Sequence, residues 1–260
     1  MSQKEDDDDK IKKLLEDAHT QGALSAKSLT ALDVVDVGAQ IQAGLGITID
    51  DISASEVVLL TMMPDDSASI ASAGNTDAVR DGHNFVLDAL RRSKQSGEVL
   101  AHTRYLNGHV LCPYTALDHA VAMTKANYDP VHGTPLFDQA CVVLGTVIAK
   151  AQELQQAGIA VRTVTLIITD GGDYGSTRAK AADVQAIVRD MLAQENHIVA
   201  AMGISDGSTD FKKVFQAMGI PDRWILTPGN SASEIRRAFQ VFSQSAVRAS
   251  QGAQLGGFAN

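Results

Sequence analysis

Three long apolar runs divide this chain. Val57 to Met63 is apolar almost throughout and stopped by Pro64, Val161 to Thr169 mixes Val, Leu and Ile with threonines, Ile198 to Ile204 is again apolar, and all three are of strand length. Runs without alternation indicate strands covered on both faces, as in a mainly parallel sheet beneath helices. Between them the period becomes helical. Asn75 to Arg92 gathers Val79, Phe85, Val86, Ala89 and Leu90 on one side, and helices are expected at 115–126, 136–157 and 179–192 as well. Val99 to Leu106 and His109 to Cys112 flank Asn107-Gly108, a pair that tolerates the positive φ of a tight turn, and so read as a hairpin. A short helix is expected at 210–218, a short last strand at 223–227 and a closing helix from Ser231. Ser231 and Glu234 have capping-box spacing, and Ile235, Ala238, Phe239, Phe242 and Ala246 form that helix's apolar face. The pattern predicts a doubly wound α/β fold: a mostly parallel six-stranded sheet, one antiparallel edge strand, and helices on both faces.

The segment before this pattern differs. Ile11, Leu14, Leu15 and Ala18 recur at helical spacing, followed by short amphipathic pieces at 29–32 and 37–45 that Gly44 and Gly46 interrupt. The expected organisation is an N-terminal extension at 1–55 packed on a main domain at 56–250, with a flexible tail at 251–260. Residues 1–17 carry seven acids and four lysines, so about a third of the net charge of −9 lies there. The run Asp6 to Asp9 is expected to be solvated and partly disordered. With Lys10 it also reads as an enteropeptidase cleavage site of the kind found in engineered tags.

Charge and composition exclude some classes. A net charge of −9 disfavours nucleic acid, whose phosphates require a basic surface. No apolar run reaches the roughly 18 residues that suggest a membrane span. The charged N-terminus has no apolar block behind it, so it does not read as a secretory signal. Cys112 and Cys141 read as buried free thiols. A cytoplasmic location is the expectation.

The candidate chemistry is built from oxygen. Asp65, Ser67 and Ser69 form a D-x-S-x-S run after the first apolar strand, Asp170 follows the second, and Thr134 precedes a helix joining two sheet strands. Ligands of doubly wound sheets bind outside the carboxyl ends of the strands, where these segments can meet. Five oxygens with no nitrogen or sulfur suit a hard divalent cation, magnesium before zinc.

On these residues the chain resembles a von Willebrand factor A (vWA) domain with a metal-ion-dependent adhesion site. The resemblance covers about residues 56–250, including the order of the three motif pieces and the hairpin. It implies that Ser67, Ser69 and Thr134 place hydroxyls on Mg²⁺ or Mn²⁺, while Asp65 and Asp170 hold the ion directly or through water. Pro64 before the first acid and Ala68, where glycine is often found, depart from the pattern without removing a ligand. Three neutral hydroxyls and two carboxylates leave a coordination position open, and such a site favours a partner's carboxylate. The expected function is a metal-dependent protein-interaction adaptor. No His, Lys or Cys stands in the motif pieces as nucleophile or base, so no enzyme activity is expected. The absence of a signal or span, and the way the last helix ends, are similar to cytoplasmic bacterial vWA proteins in tellurium-resistance-like gene sets. That similarity implies partners among ATPase, kinase or phosphatase complexes.

Other readings stay open. A scaffold whose metal only ties loops together uses the same residues. A magnesium-dependent phosphoacceptor or hydrolase fits less well: a receiver domain wants a lysine after a late strand where Ile204-Ser205-Asp206-Gly207 stands, and a haloacid-dehalogenase-like site wants D-x-D. Asp66 and Asp173 read as solvated loop acids near helix starts, with support of coordinated waters as the alternative. His132 reads as an exposed loop residue, and it and Asp129 are candidates for the rim. His83, His102, His109, His119 and His197 read as structural, and Trp224 as core or edge cover. Self-association through the Asp6 to Asp9 run or the carboxylate of Asn260 is a further expectation.

Overall fold

The computed structural model describes residues 3–32, 37–253 and 256–258, with side chains from residue 9 onward. Three helices come first: α1 (Gln3–Thr20), α2 (Ala26–Leu32) and α3 (Val37–Leu45). There follow β1 (Glu56–Met63), α4 (Ala68–Ser72), α5 (Thr76–Arg91), β2 (Val99–Arg104) and β3 (Val110–Ala116). The chain continues through α6 (Leu136–Gln156), β4 (Ala160–Thr169), α7 (Ala181–Ala193), β5 (His197–Gly203), α8 (Phe211–Ala217), β6 (Ile225–Leu226) and α9 (Ala232–Ser250). The sheet order is β3-β2-β1-β4-β5-β6; β3 runs antiparallel to β2 and every other pairing is parallel. This is the expected doubly wound α/β sheet, mostly parallel with one antiparallel edge strand.

The apolar runs become its centre because both faces are covered. β1 is buried from Val57 to Met63, and β4 from Thr163 to Thr169. On one face α5 and α9 pack together so closely that a Cβ on Gly82 would stand 2.0 Å from the ring of Phe239. On the other face α6 is buried on nearly every side, because α1 and α3 lie over its outer surface. Ile11, Leu14 and Ile41 share one apolar core with Val58 and Phe239. Charge enters this interface only where it is paired. Lys150, fully buried, donates to the Ile47 carbonyl (2.6 Å) and to Glu153 (2.8 Å), and Lys10 reaches Glu153 at 2.6 Å.

Three expectations change. The helix expected at 115–126 does not form: β3 continues to Ala116, a 3₁₀ turn covers Leu117–His119, and the chain then runs without regular structure. Leu117, Ala120 and Met123 are buried at a spacing that imitates a helix. Their backbone groups are instead bonded by side chains of α5. Asn84 both accepts from and donates to the Met123 backbone at 2.8 Å, and Arg91 donates to the carbonyls of Leu117 (3.2 Å) and Ala120 (2.8 Å). The expected last strand is largely a 3₁₀ turn at Asp222–Trp224 followed by the two residues of β6. The acidic run at 6–9 lies within α1, the side chains of Asp6 to Asp8 being outside the described residues.

Lys10 near the start and Phe258 near the end of the described residues are both held away from the carboxyl edge of the sheet. Lys10 meets Glu153, which is about 25 Å along α6 from Leu136 at the helical rise. Phe258 donates its amide to the Arg223 carbonyl (3.0 Å) and sets its ring edge-on to Trp224, at the start of β6. Asn260 is outside the described residues.

Candidate metal centre

β1 and β4 are parallel neighbours, with Met63 opposite Ile167, so the residues that follow each strand emerge side by side. Asp65, fully buried, is fixed first. One carboxylate oxygen accepts from the Ser67 amide (2.7 Å); the other accepts from the Thr169 hydroxyl (2.7 Å) and the Asp170 amide (3.3 Å). This acid therefore ties the end of one strand to the end of the other. The Tyr128 hydroxyl donates to the Asp65 carbonyl at 2.5 Å. Ser67 then caps α4 with extended backbone, and its hydroxyl stands 2.8 Å from that of Ser69. The Ser69 hydroxyl donates to Asp170 Oδ1 at 2.6 Å, and the Ser67 hydroxyl lies 3.5 Å from the same oxygen.

These three oxygens form a triangle with edges of 2.6, 2.8 and 3.5 Å. Around magnesium, with oxygens at about 2.0–2.1 Å in near-octahedral geometry, adjacent ligands stand about 2.9 Å apart. Two of its edges are hydrogen-bond lengths close to that spacing, and the Ser67–Asp170 edge is wider. Thr134 arrives by a separate route. Its backbone pairs with Tyr174 in both directions (3.2 and 2.8 Å), and a Cβ on Gly171 would lie 4.0 Å from its hydroxyl. Asp65, Ser67, Ser69 and Asp170 are thus in direct contact, and Thr134 joins them across the backbone of the loop after Asp170. Among the described residues no group of three or more His, Cys, Asp or Glu is placed to hold a metal. The donor set here is two acids and three hydroxyls.

The electrostatics favour a cation. Burial raises the carboxyl pKa of Asp65, against the hydrogen bonds from Ser67 and Thr169 that lower it. Burial also lifts Asp170 to about 6, with Asp65 and Asp206 adding to the rise and Ser69 opposing it. Asp66 is raised to about 6 chiefly by burial, opposed by the Asn107 amide and by His132. Among the described residues no Lys or Arg forms an ion pair with Asp65 or Asp170, the nearby acidic loop pairs being His132–Asp66 and Arg178–Asp138. Buried acids packed close together keep their protons more tightly than free carboxyls do.

The smaller expectations divide. Asp66 is not solvated: it is 2% exposed, accepts from the Asn107 amide (3.0 Å) and faces His132 Nε2 at 3.8 Å. Asp173 is half-buried and serves the start of α6, accepting from the Phe137 amide (3.1 Å) and the Ser176 hydroxyl (2.5 Å). His132 and Asp129 are exposed on the rim. His83, His102 and His197 are buried and hydrogen-bonded, and burial lowers their pKa values to about 4, 3 and 4. Trp224 is buried as edge cover, and both cysteines are buried and free.

Two residues the sequence did not single out complete the edge. Asp138, in the first turn of α6, accepts from the amides of Thr177 (2.9 Å), Arg178 (3.1 Å) and Ala179 (2.6 Å). With Asp173 it fastens the loop carrying Asp170 to the helix that follows Thr134. Its place in a first turn suggested only a favourable helix dipole. Asp206, after β5, accepts from the amides of Ser208 (2.8 Å) and Thr209 (2.6 Å), and hydrogen bonds of this kind hold its carboxyl down to about 2.

Comparison with known proteins reaches the fold. No protein-family profile and no curated protein match the chain. Solved structures do. Proximal thread matrix protein 1 of the mussel byssus is 15% identical, with a TM-score of 0.51 over 75% of this chain and 49% of its own. The pilus adhesin SpaC of Lactobacillus rhamnosus GG is 11% identical, with a TM-score of 0.51 over 74% of this chain and 30% of its own. The chain therefore spans about half of the mussel protein and under a third of the adhesin. The SpRpn10 VWA domain aligns over 70% of this chain at a TM-score of 0.46, too low to carry weight. At 15% identity or less, these likenesses show the fold alone. Among the described residues no helix is long and apolar enough to cross a membrane.

Proposed function

We propose that this chain is a metal-dependent protein-interaction module. Ser67, Ser69, Thr134 and Asp170 would hold a hard divalent cation, Mg²⁺ or Mn²⁺, with Asp65 behind them fixing the two strand ends and reaching the ion through water. The ion supplies a Lewis-acidic position that a partner's Asp or Glu fills. One observation supports this reading: three oxygens from two loops stand within 3.5 Å of one another, and among the described residues neither Asp65 nor Asp170 has an ion-pair partner in Lys or Arg. The hydroxyl-rich set leaves the ion short of negative charge, which favours an incoming carboxylate. We read its chemistry as recognition and not turnover, because no His, Lys or Cys stands in the motif pieces themselves.

One observation favours a purely structural site instead: the hydroxyls of Ser67 and Ser69 and the carboxylate of Asp170 already satisfy one another. Calorimetric titration separates the readings. With Mg²⁺ the wild type should show one site that Asp65→Ala removes, and an acidic peptide should bind only when the metal is present. Equal metal binding by both proteins refutes the assignment. Metal binding without any metal-dependent acid binding favours the structural site.

A further inference from the structure

Ligands of doubly wound sheets bind at the carboxyl edge, yet this chain also holds a cavity of about 590 Å³ at the amino edge. Its inner wall is the start of β4 and β5, where Thr163 stands opposite His197. Thr163 is seven residues before Asp170, roughly 23 Å at the strand rise, so the cavity is separate from the oxygen edge. The space exists because β6 pairs only with Ala201 and Met202, which leaves the amino end of β5 without a neighbour strand. The turn at Arg223 and Trp224 closes it from outside, together with the chain after α9, which Gly252 turns with a φ of 78° less one degree, that is 77°. Its size is that of small-molecule sites, about 300–1,000 Å³.

The wall carries hydrogen-bond donors that the protein leaves unused. Trp224 is 2% exposed and lines the cavity, and its indole N–H has no acceptor among the described residues, although a buried indole N–H ordinarily finds one. With the rest of the ring enclosed, the cavity is where an acceptor can reach it. Arg223 is exposed and forms no ion pair among the described residues, because the neighbouring Asp222 is taken by Lys212 at 2.7 Å. Arg162 gives one guanidinium nitrogen to Glu56 (3.1 Å), and another would stand 3.1 Å from a Cβ on Gly252, so the group lies against the outer wall. Glu195 is the one acid of the lining, and among the described residues the one non-glycine with left-handed backbone, at a φ of 61°. Strain of this kind is held at binding sites more than elsewhere. Two guanidinium groups and an indole N–H against one carboxylate, in a chain of net charge −9, mark a local site for an anion.

We propose that this cavity binds a small hydroxylated organic anion, whose phosphate or carboxylate is taken by Arg223 and Arg162 with the Trp224 N–H as a further donor, and whose hydroxyls face Glu195. The planar fork of arginine matches either oxyanion with two parallel hydrogen bonds. Glu195 repels additional negative charge, which favours one anionic group on a hydroxylated body over a polyanion. The site needs no metal and is independent of the metal-dependent reading above.

Trp224 is the only tryptophan in the chain, so tryptophan fluorescence reports on the cavity alone. The full chain, in chelator so that no metal takes part, is titrated at constant ionic strength with glucose 6-phosphate, gluconate and uncharged glucose, and the same titrations are repeated by calorimetry. At least one of the two anions should bind at a single saturable site with a Kd below about 1 mM, and glucose should not bind. Binding of glucose 6-phosphate alone or of gluconate alone supports the site and assigns it to phosphate or to carboxylate. Arg223→Gln should weaken binding about tenfold or more, and Arg223→Lys by less, both with unchanged thermal melting, since the side chain is exposed. No saturable heat or fluorescence change with either anion, equal binding of glucose, or an affinity that Arg223→Gln leaves unchanged would each overturn the proposal, and none of them touches the metal reading.

Discussion

Asp170→Asn should make the metal-free protein more stable and remove its response to magnesium. Asp170 is 3% exposed, and its carboxyl is raised from 3.8 to about 6. A raised carboxyl pKa means the folded chain binds the proton more tightly than the unfolded chain. Its cost to stability is therefore absent below about pH 4, grows as pH rises through the folded value, and stands in full at about pH 7.5. A displacement of this size corresponds to about 3 kcal/mol at most. Solvent reaching the open edge reduces that to about 1–2 kcal/mol. Asparagine keeps an acceptor for the Ser69 hydroxyl and carries no charge. In chelator, urea denaturation followed by circular dichroism should show Asp170→Asn more stable than wild type by about 1–2 kcal/mol at pH 7.5, with the difference gone near pH 4. Magnesium at a hundred times its Kd should then stabilise the wild type by about 2.7 kcal/mol and leave the variant unchanged. A variant less stable than wild type at pH 7.5 in chelator, or a gap independent of pH, would refute the reasoning.

Thr169→Val removes the hydroxyl that donates to Asp65 while keeping the side-chain shape, and should cost about 1.5–3 kcal/mol in urea denaturation, as expected for a hydrogen bond to a charged group. Asp138→Ala leaves three amides without their acceptor; hydrogen exchange at 177–179 should accelerate and Mg²⁺ affinity should fall, because the loop carrying Asp170 loses its tie to α6. Gly82→Ala should destabilise by about 1–3 kcal/mol through the clash with Phe239, with no effect on metal binding. Phosphate-ester, ATP and DNA substrates should show no turnover with Mg²⁺ or Mn²⁺; a metal-dependent rate lost in Thr134→Ala would contradict the binding-module reading.

What the sequence disclosed follows from where each hydrogen bond and contact is satisfied. β1, β4 and β5 were legible because strands buried on both faces are rich in apolar and β-branched residues without strict alternation, a local signature. The cap at Ser231 was legible for the same reason: its partner, the Glu234 amide, lies three residues away. The segment after β3 was misread because its apolar spacing imitates a helix while Asn84 and Arg91 satisfy its backbone from a distant element. Asp66 was read as solvated because the Asn107 amide that helps bury it sits beyond the next strand. Asp65, Ser67, Ser69 and Asp170 meet as their spacing after two parallel strands suggested. The tie through Asp138 depends on how two loops dock and leaves no trace in spacing.

The central claim is that a hard cation sits on this oxygen edge, and a crystal of the full chain soaked in Mn²⁺ tests it most directly. Anomalous scattering should place one manganese against the hydroxyls of Ser67 and Ser69, with Thr134 and Asp170 in its coordination sphere or one water away. The same soak of Asp65→Ala should lose the peak. Manganese bound elsewhere on the chain, with no density at this edge in well-diffracting crystals, would contradict it.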